Sequence, residues 1–427
     1  MGLFMGIMRA LALFSLGGLA LVSVVVEAQS LEEMVNSALS HDAEVKSYVF
    51  LEQSSAAKVQ SAKWQFYPTP SLNLQSAVSG YDDDVSEQVI TFSLKQPLWN
   101  AGRLQAGVDS AKVEMAIQKN VTDTKRLDLA KKVVSAYGQW WVAHRKLLSW
   151  DQALKIHQKL TQQVGRRVDI GVSAKSDLSL AQGRLSATQA ERNLAFSQEQ
   201  VALDDLKFLT GIKTMDLMSA AQLPLLKPSL AAFETLLSKA LLSSIDIKQA
   251  QAEAEGALLE QLFQKSSVWP QVYLQADRQV GDFNQSGFAP SNKVFIGFSS
   301  DLRAGLSFET DNEASMAAYS AALSKIDSET MRVTRELRSS LTLLIASDER
   351  QQALNSARSS AEQGYLSSSR QFKAGRKDWQ ELLNSARELA QADAQWIEAY
   401  GTYLVASWQI LLDTQGLSFL SGVTNDG

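Results

Sequence analysis

Chemistry in a protein needs nucleophiles, acids, bases or metal ligands at workable spacing, and this sequence offers few. It has no cysteine, which excludes disulfide scaffolds, thiolate metal sites and cysteine nucleophiles. Its 3 histidines, His41, His144 and His157, leave no pair at metal-binding spacing. No G-x-x-x-x-G-K-[ST] loop cradles phosphates, and no G-x-S-x-G elbow presents a serine. The dense carboxylate cluster Asp82-Asp83-Asp84 fits either a divalent-ion site or a solvated extracellular turn, and the turn is the simpler reading. With 41 Lys+Arg against 46 Asp+Glu, the net charge of −5 lacks the basic surplus of a nucleic-acid binder. No nucleophile has a base placed to serve it, so the chain reads as a non-enzyme that needs no cofactor.

Architecture must therefore carry the function. Residues 1–28 read as a secretory signal: Arg9 precedes an apolar run over residues 10–26, and Val26-Glu27-Ala28 offers a cleavage site. A membrane anchor is the competing reading of that run. No second apolar run reaches 18 residues. The 7 prolines cluster: Pro68, Pro70 and Pro97 bracket one stretch, Pro270 and Pro290 another, with Pro224 and Pro228 between. Proline-free runs of 126 residues after Pro97 and 137 after Pro290 suit long helices. Leu127, Val134, Trp141 and Leu148 recur every seven residues, with Ala130, Tyr137 and His144 three positions after the first three. That heptad implies a supercoiled seam, in which His144 packs rather than ligates and Trp140-Trp141 is core plus flank. A continuous helix over residues 104–167 would be roughly 95 Å long, so the molecule is expected to be elongated.

The proline-bracketed stretches alternate instead. Leu72, Leu74, Ser76 and Val78, then Ile90, Phe92 and Leu94, each recur at every second position. Val272, Leu274 and Ala276, and Val294, Ile296 and Phe298, do the same. Period two is the strand signature, and it fits either transmembrane strands or soluble hairpins with one face on a core. Trp64, Phe66, Tyr67, Trp99 and Trp269 flank these strands, as an interfacial girdle or as junction packing.

The halves also match each other. Ala38, Val45, Pro68 and Leu72 correspond to Ala240, Ile247, Pro270 and Leu274 at an offset of 202, Gly171 and Leu178 to Gly375 and Leu382 at 204, and Gly211 to Gly416 at 205. The expected organisation is a signal (1–28), a first repeat (29–223), a linker (224–228), a second repeat (229–416) and a tail (417–427). Each repeat reads helix, strand, strand, long helix, break, helix. Two strands per repeat give four per chain, too few to close a barrel in lipid, so membrane insertion would require several chains to pool their strands.

In this order of elements the chain resembles the TolC-like outer-membrane efflux and secretion family. The residues that carry the resemblance are Tyr67-Pro68-x-Pro70-x-Leu72, Gln96-Pro97-Leu98-Trp99-Asn100-Ala101-Gly102-Arg103, and the paired breaks with Gly171…Asp177-Leu178 and Gly375…Glu381-Leu382. The second repeat departs from it at Asp301-Leu302-Arg303-Ala304-Gly305, where the proline element is missing. The resemblance implies a mainly α fold with a small β part. A duplicated coiled-coil repeat would build an α-barrel, and four strands per chain would enter a shared twelve-stranded barrel of a homotrimer. It implies an outer-membrane location with lipid contact, the helical part lying in the periplasm. It also implies a periplasmic membrane-fusion adaptor as partner, and an inner-membrane ABC exporter or proton-driven pump.

Similarity to the family places Glu381 and Asn384 at the constriction of the periplasmic entrance. It offers Asp177 and Lys377 as a gate salt link, the alternative being ordinary solvated helix-start charges. The turns at Gly171, Val172, Ser173, Gly375 and Arg376 become the adaptor-docking tips. Asn384 in place of a second acid would halve the ring's charge and weaken its cation selectivity. Asp378 followed by Glu381 resembles a capping box. The expected function is a passive exit duct of a tripartite export system, type I secretion of an adhesin-like protein being slightly favoured over multidrug efflux. A periplasmic coiled-coil adaptor or scaffold is the reading from another class.

Overall fold

A computed structural model of the chain describes residues 30–76, 88–213, 225–227, 229–281, 290–300 and 307–421. The expected signal, the acidic turn at residues 82–84, Pro224 and Pro228 of the linker, residues 301–305 and residues 422–427 of the tail lie outside them.

The first repeat runs α1 (Leu31–His41), α2 (Ala43–Trp64), β1 (Thr69–Ser76), β2 (Gln88–Trp99), α3 (Arg103–Asp169) and α4 (Lys175–Thr210). The second opens with a 3-10 turn at Leu230–Ala232 and continues α5 (Phe233–Ser243), α6 (Ile245–Ser267), β3 (Gln271–Val280), β4 (Ser291–Ser299), α7 (Phe308–Lys373) and α8 (Trp379–Gln415). A short α9 (Ser418–Ser421) follows. The fold is thus mainly helical with four strands, and the same order of elements occurs twice, with similar caps. Asp42 caps α2 by accepting from Val45 N at 2.7 Å, and Ser244, 202 positions on, caps α6 by accepting from Ile247 N at 3.3 Å. Gly211 and Gly416, which end α4 and α8, take φ of +70° and +65°.

At 67 and 66 residues, α3 and α7 are each about 100 Å long. Each turns back on itself through a short break, and the returning helices α4 and α8 pack along it. Three apolar clusters hold these hairpins together. The first joins Met34, Val35 and Ala38 of α1 to Val133, Tyr137, Leu206, Trp408 and Leu412. The second packs Leu236 and Ala240 of α5 on Leu337, Leu341, Tyr403 and Ile410. The third lies at the helix breaks and is described below. Between α3 and α8 the approach is close enough to need glycine. A Cβ on Gly138 would stand 2.1 Å from Val405 Cγ2, and one on Gly401 would stand 2.1 Å from Val142 Cγ2.

The heptad seam is displaced from the sequence reading. Ala130 and Tyr137 are buried as expected, and His144 is half-buried, but their companions are Val133, Trp140 and Leu147, one residue earlier than the series through Val134, Trp141 and Leu148. Leu148 is exposed and Trp141 half-buried, its ring against Tyr400. Because α3 packs against several helices at once, its buried face is wider than a single seam, and Val134 is enclosed as well.

The strands form one antiparallel sheet in the order β1-β2-β3-β4. Leu72 pairs with Phe92 and Leu74 with Ile90, Leu94 with Ala276, and Leu274 with Ile296. Register therefore collects most of the apolar residues of all four strands on one face, together with Arg278, and leaves Val89, Tyr273 and Phe295 on the other. Asn73, Gln75, Thr91, Ser93, Lys95, Gln275, Asp277 and Lys293 share that other face with them. At the exit of β2 the chain turns sharply into α3 through two residues in the left-handed region, Ala101 at φ +51° and Gly102 at φ +84°.

Candidate functional site: the paired helix breaks and the exposed sheet

The breaks at the far ends of the long helices are built alike. After α3, Gly171 takes φ +72°; its N–H donates to Val168 O at 2.9 Å and the Val172 N–H to Arg167 O at 2.8 Å. After α7, Gly375 takes φ +69°; its N–H donates to Phe372 O at 3.0 Å and the Arg376 N–H to Gln371 O at 2.9 Å. Both are Schellman closures, which satisfy the last helical carbonyls and need a residue that tolerates positive φ. Arg166 and Arg167 end α3, and Arg370 and Lys373 end α7, where positive charge suits the helix dipole.

The returning helices start differently. Before α4, Asp177 reaches back to accept from Ala174 N at 3.2 Å, half of a capping box. Before α8, Asp378 accepts from Trp379 N at 2.6 Å. The capping box read from Asp378 and Glu381 is not what forms: the Glu381 carboxylate is taken by the Lys377 ammonium, four residues earlier. Lys377 also approaches Ser368 Oγ at 3.4 Å. A flexible lysine at i−4 competes well for a carboxylate that would otherwise close the box.

Of the residues singled out from sequence, Gly171, Val172, Gly375 and Arg376 are exposed at the tips and Ser173 is half-exposed. Glu381 and Asn384 are exposed and three residues apart, on a side of α8 free of packing. Asp177 and Lys377 form no ion pair with each other within the chain. Each has a local partner instead.

Sequence reasoning passed over the residue that holds the two breaks together. Trp379 is buried at the start of α8, with Leu382 and Leu383, against Leu160 and Val164 of α3 and Ala181 of α4. Val168, Tyr365 and Phe372 pack around this cluster. The signal was present: Trp379, Leu382, Leu383 and Ala386 recur at i, i+3, i+4 and i+7, one face of a helix. Above the tip, Asp393 of α8 accepts from Arg358 Nε of α7 at 2.6 Å and from Ser149 Oγ of α3 at 3.2 Å. His144 meets Glu199 of α4 at 2.6 Å and stacks on Trp140. It serves the helix packing, as does His157, which is buried against Thr188. Among the described residues no group of His, Asp and Glu could hold a metal ion.

At the opposite end of the long helices the sheet leaves its apolar face uncovered. Leu72, Val294, Ile296 and Phe298 are 70–74% exposed, an arrangement that water does not favour. Trp64, Tyr67, Trp99 and Trp269 are exposed at its edge nearest the helices. Among the described residues no helix is long and apolar enough to cross a membrane.

The arrangement is a sheet with one mainly apolar and one mainly polar face, standing on long helical hairpins. Residues 34–212 match the family model described as Outer membrane efflux protein. Solved structures share the fold over nearly the whole chain. The CmeC outer membrane channel of Campylobacter jejuni superposes with a TM-score of 0.72 at 15% identity, covering 96% of this chain and 94% of its own. The outer membrane protein VceC of Vibrio cholerae gives 0.72 at 17%, covering 90% and 96%. The MtrE outer membrane channel of Neisseria gonorrhoeae, in its open state, gives 0.72 at 16%, covering 91% and 89%. A comparison with curated proteins finds no match. Residues 34–212 are thus similar to the outer membrane efflux protein family, and the chain throughout shares its fold with these solved structures.

Proposed function

We propose that three copies of this chain form a passive duct through an outer membrane, the exit of a tripartite export system. The observation that carries this is the four-stranded sheet with a lipid-compatible face and a polar face. Four strands leave two open edges whose backbone groups lipid cannot satisfy, and closure with other copies removes them. The three chains supply twelve strands, and their helical hairpins continue the tube into the periplasm. The Trp64, Tyr67, Trp99 and Trp269 side chains mark the inner membrane-water boundary. In this reading residues 29–223 and 229–416 are the two repeats, and the tips at Gly171–Ser173 and Gly375-Arg376 receive a periplasmic adaptor that couples the duct to an inner-membrane transporter. Glu381 and Asn384 line the closed entrance, and Asp177 and Lys377 link neighbouring hairpins there.

The cargo is small solutes rather than a secreted protein. The description of the matched family, Outer membrane efflux protein, supports this choice, and no described residue speaks for the sequence-based preference for an adhesin. The sequence has no phosphate-cradling loop, and in this reading the partner transporter supplies the work. Reconstitution of the purified chain in planar bilayers tests the reading: discrete ion-conducting steps are expected, and a protein that fractionates with the soluble periplasm and conducts nothing would refute it.

A further inference from the structure

The polar face of the sheet carries an unbalanced charge. Among the described strands its charged residues are Lys95 on β2, Asp277 on β3 and Lys293 on β4. Asp277 stands directly opposite Lys293 across the β3–β4 ladder, so these two offset each other. Asp277 also accepts from Gln275 Nε2 at 2.8 and 3.1 Å. Lys95 has no such counterpart, for its cross-strand neighbours are Thr69 on β1 and Gln275 on β3. Among the described residues each chain therefore contributes one uncompensated positive charge to this face.

Lys95 is also held in place. Its ammonium lies 3.7 Å from the centroid of the Tyr273 ring, a cation-π contact between β2 and β3. The ring lies across β4 at Gly297, where an added Cβ would stand 2.5 Å from Tyr273 Cζ. Glycine on β4 thus admits the tyrosine, and the tyrosine positions the lysine. An aromatic ring leaves the positive charge un-neutralised, unlike a carboxylate. Lys95 sits four residues before the end of β2, in the half of the strand nearer the helices.

We infer that three Lys95 ammonium groups, one from each copy, ring the inner end of the barrel and make it select anions, so that the solutes it passes most readily are anionic small molecules. This rests on the trimeric duct proposed above. Rings of like charge in a narrow, low-dielectric passage raise the local concentration of the opposite ion and lower that of the same sign. The acidic groups at the tips lie at the other end of helices about 100 Å long, many Debye lengths away at physiological salt. They lie too far away to offset the Lys95 charges.

The test is the reversal potential of the full chain in planar bilayers under a KCl gradient. Relative to the wild type, Lys95→Gln is expected to lower the chloride-to-potassium permeability ratio by about twofold or more, and Lys95→Glu to lower it further. Lys95→Arg, which keeps charge and ring contact, should retain the ratio. Lys293→Gln should change it less than Lys95→Gln, because Asp277 already faces that lysine. Equal ratios for wild type, Lys95→Gln and Lys95→Glu in channels that still conduct would overturn the inference and leave the duct reading standing. Absence of conductance from the wild type would instead overturn the duct, and the inference with it.

Discussion

Gly171 and Gly375 were legible from sequence because a glycine closing a long apolar-periodic run is a helix stop, and both take the positive φ that the stop demands. Gly375→Ala should cost about 1–2 kcal/mol at the tip. Hydrogen exchange of the Gly375 and Arg376 amides should quicken accordingly. Gly364→Ala, inside α7 and nine residues before its end, with open space around it, should slow exchange or leave it unchanged. The partner of Lys377 was less legible, since Glu381 and Asp177 both compete for it and sequence does not rank an i, i+4 contact against one between neighbouring copies. Lys377→Ala frees Glu381 and removes the proposed link, so single-channel conductance should rise; unchanged conductance would take Lys377 out of the gate. Trp379 was read past because its role depends on a second hairpin that no local pattern specifies. Trp379→Ala should cost about 3–5 kcal/mol and open the tip to protease, whereas cleavage no faster than in the wild type would deny it that role.

At the scale of elements, helix and strand identity was written in proline placement and periodicity, while the seam of α3 was misread by one residue. The reason is physical: a helix facing several partners buries more than one stripe, so a strict heptad is only one of several series that fit. The close approach of α3 and α8 was invisible, because Gly138 and Gly401 read as neutral interruptions until Val405 and Val142 are seen filling them. Gly138→Ala should lower the thermal midpoint in detergent, at about 1–3 kcal/mol. Val405→Ala combined with it should recover part of the loss, a coupling that independent sites would not show.

The α3–α4 hairpin also carries a pH response. Burial holds the His157 imidazole below its ordinary 6.5, and the charges of Arg184 and Arg387 add to this. The unfolded chain therefore binds the proton more readily than the folded one. The stability is fully present above pH 6.5 and is lost as pH falls below it, at up to about 1.4 kcal/mol per pH unit. His157→Leu should flatten this decline in helical melting, and an identical slope in the variant would exclude His157 as its source.

For the whole molecule, the repeated order of elements was readable because the two halves share their stops, Gly171 with Gly375 and Gly211 with Gly416, and the matched caps of Asp42 and Ser244 appear only in the structure. Which side of the strands meets lipid was not decidable from alternation alone, since a soluble hairpin alternates equally well. The four-stranded register favours one side by gathering most of the apolar residues on one uncovered face, with Arg278 the charge among them, while Lys95, Asp277 and Lys293 take the other with Val89, Tyr273 and Phe295. A surface of that kind, with two free edges, is incomplete in a single copy. The mass of the purified chain, corrected for bound detergent by sedimentation, is the direct measurement. The account predicts three chains in one detergent-bearing particle; a single chain that stays dispersed in buffer after the detergent is removed would contradict it.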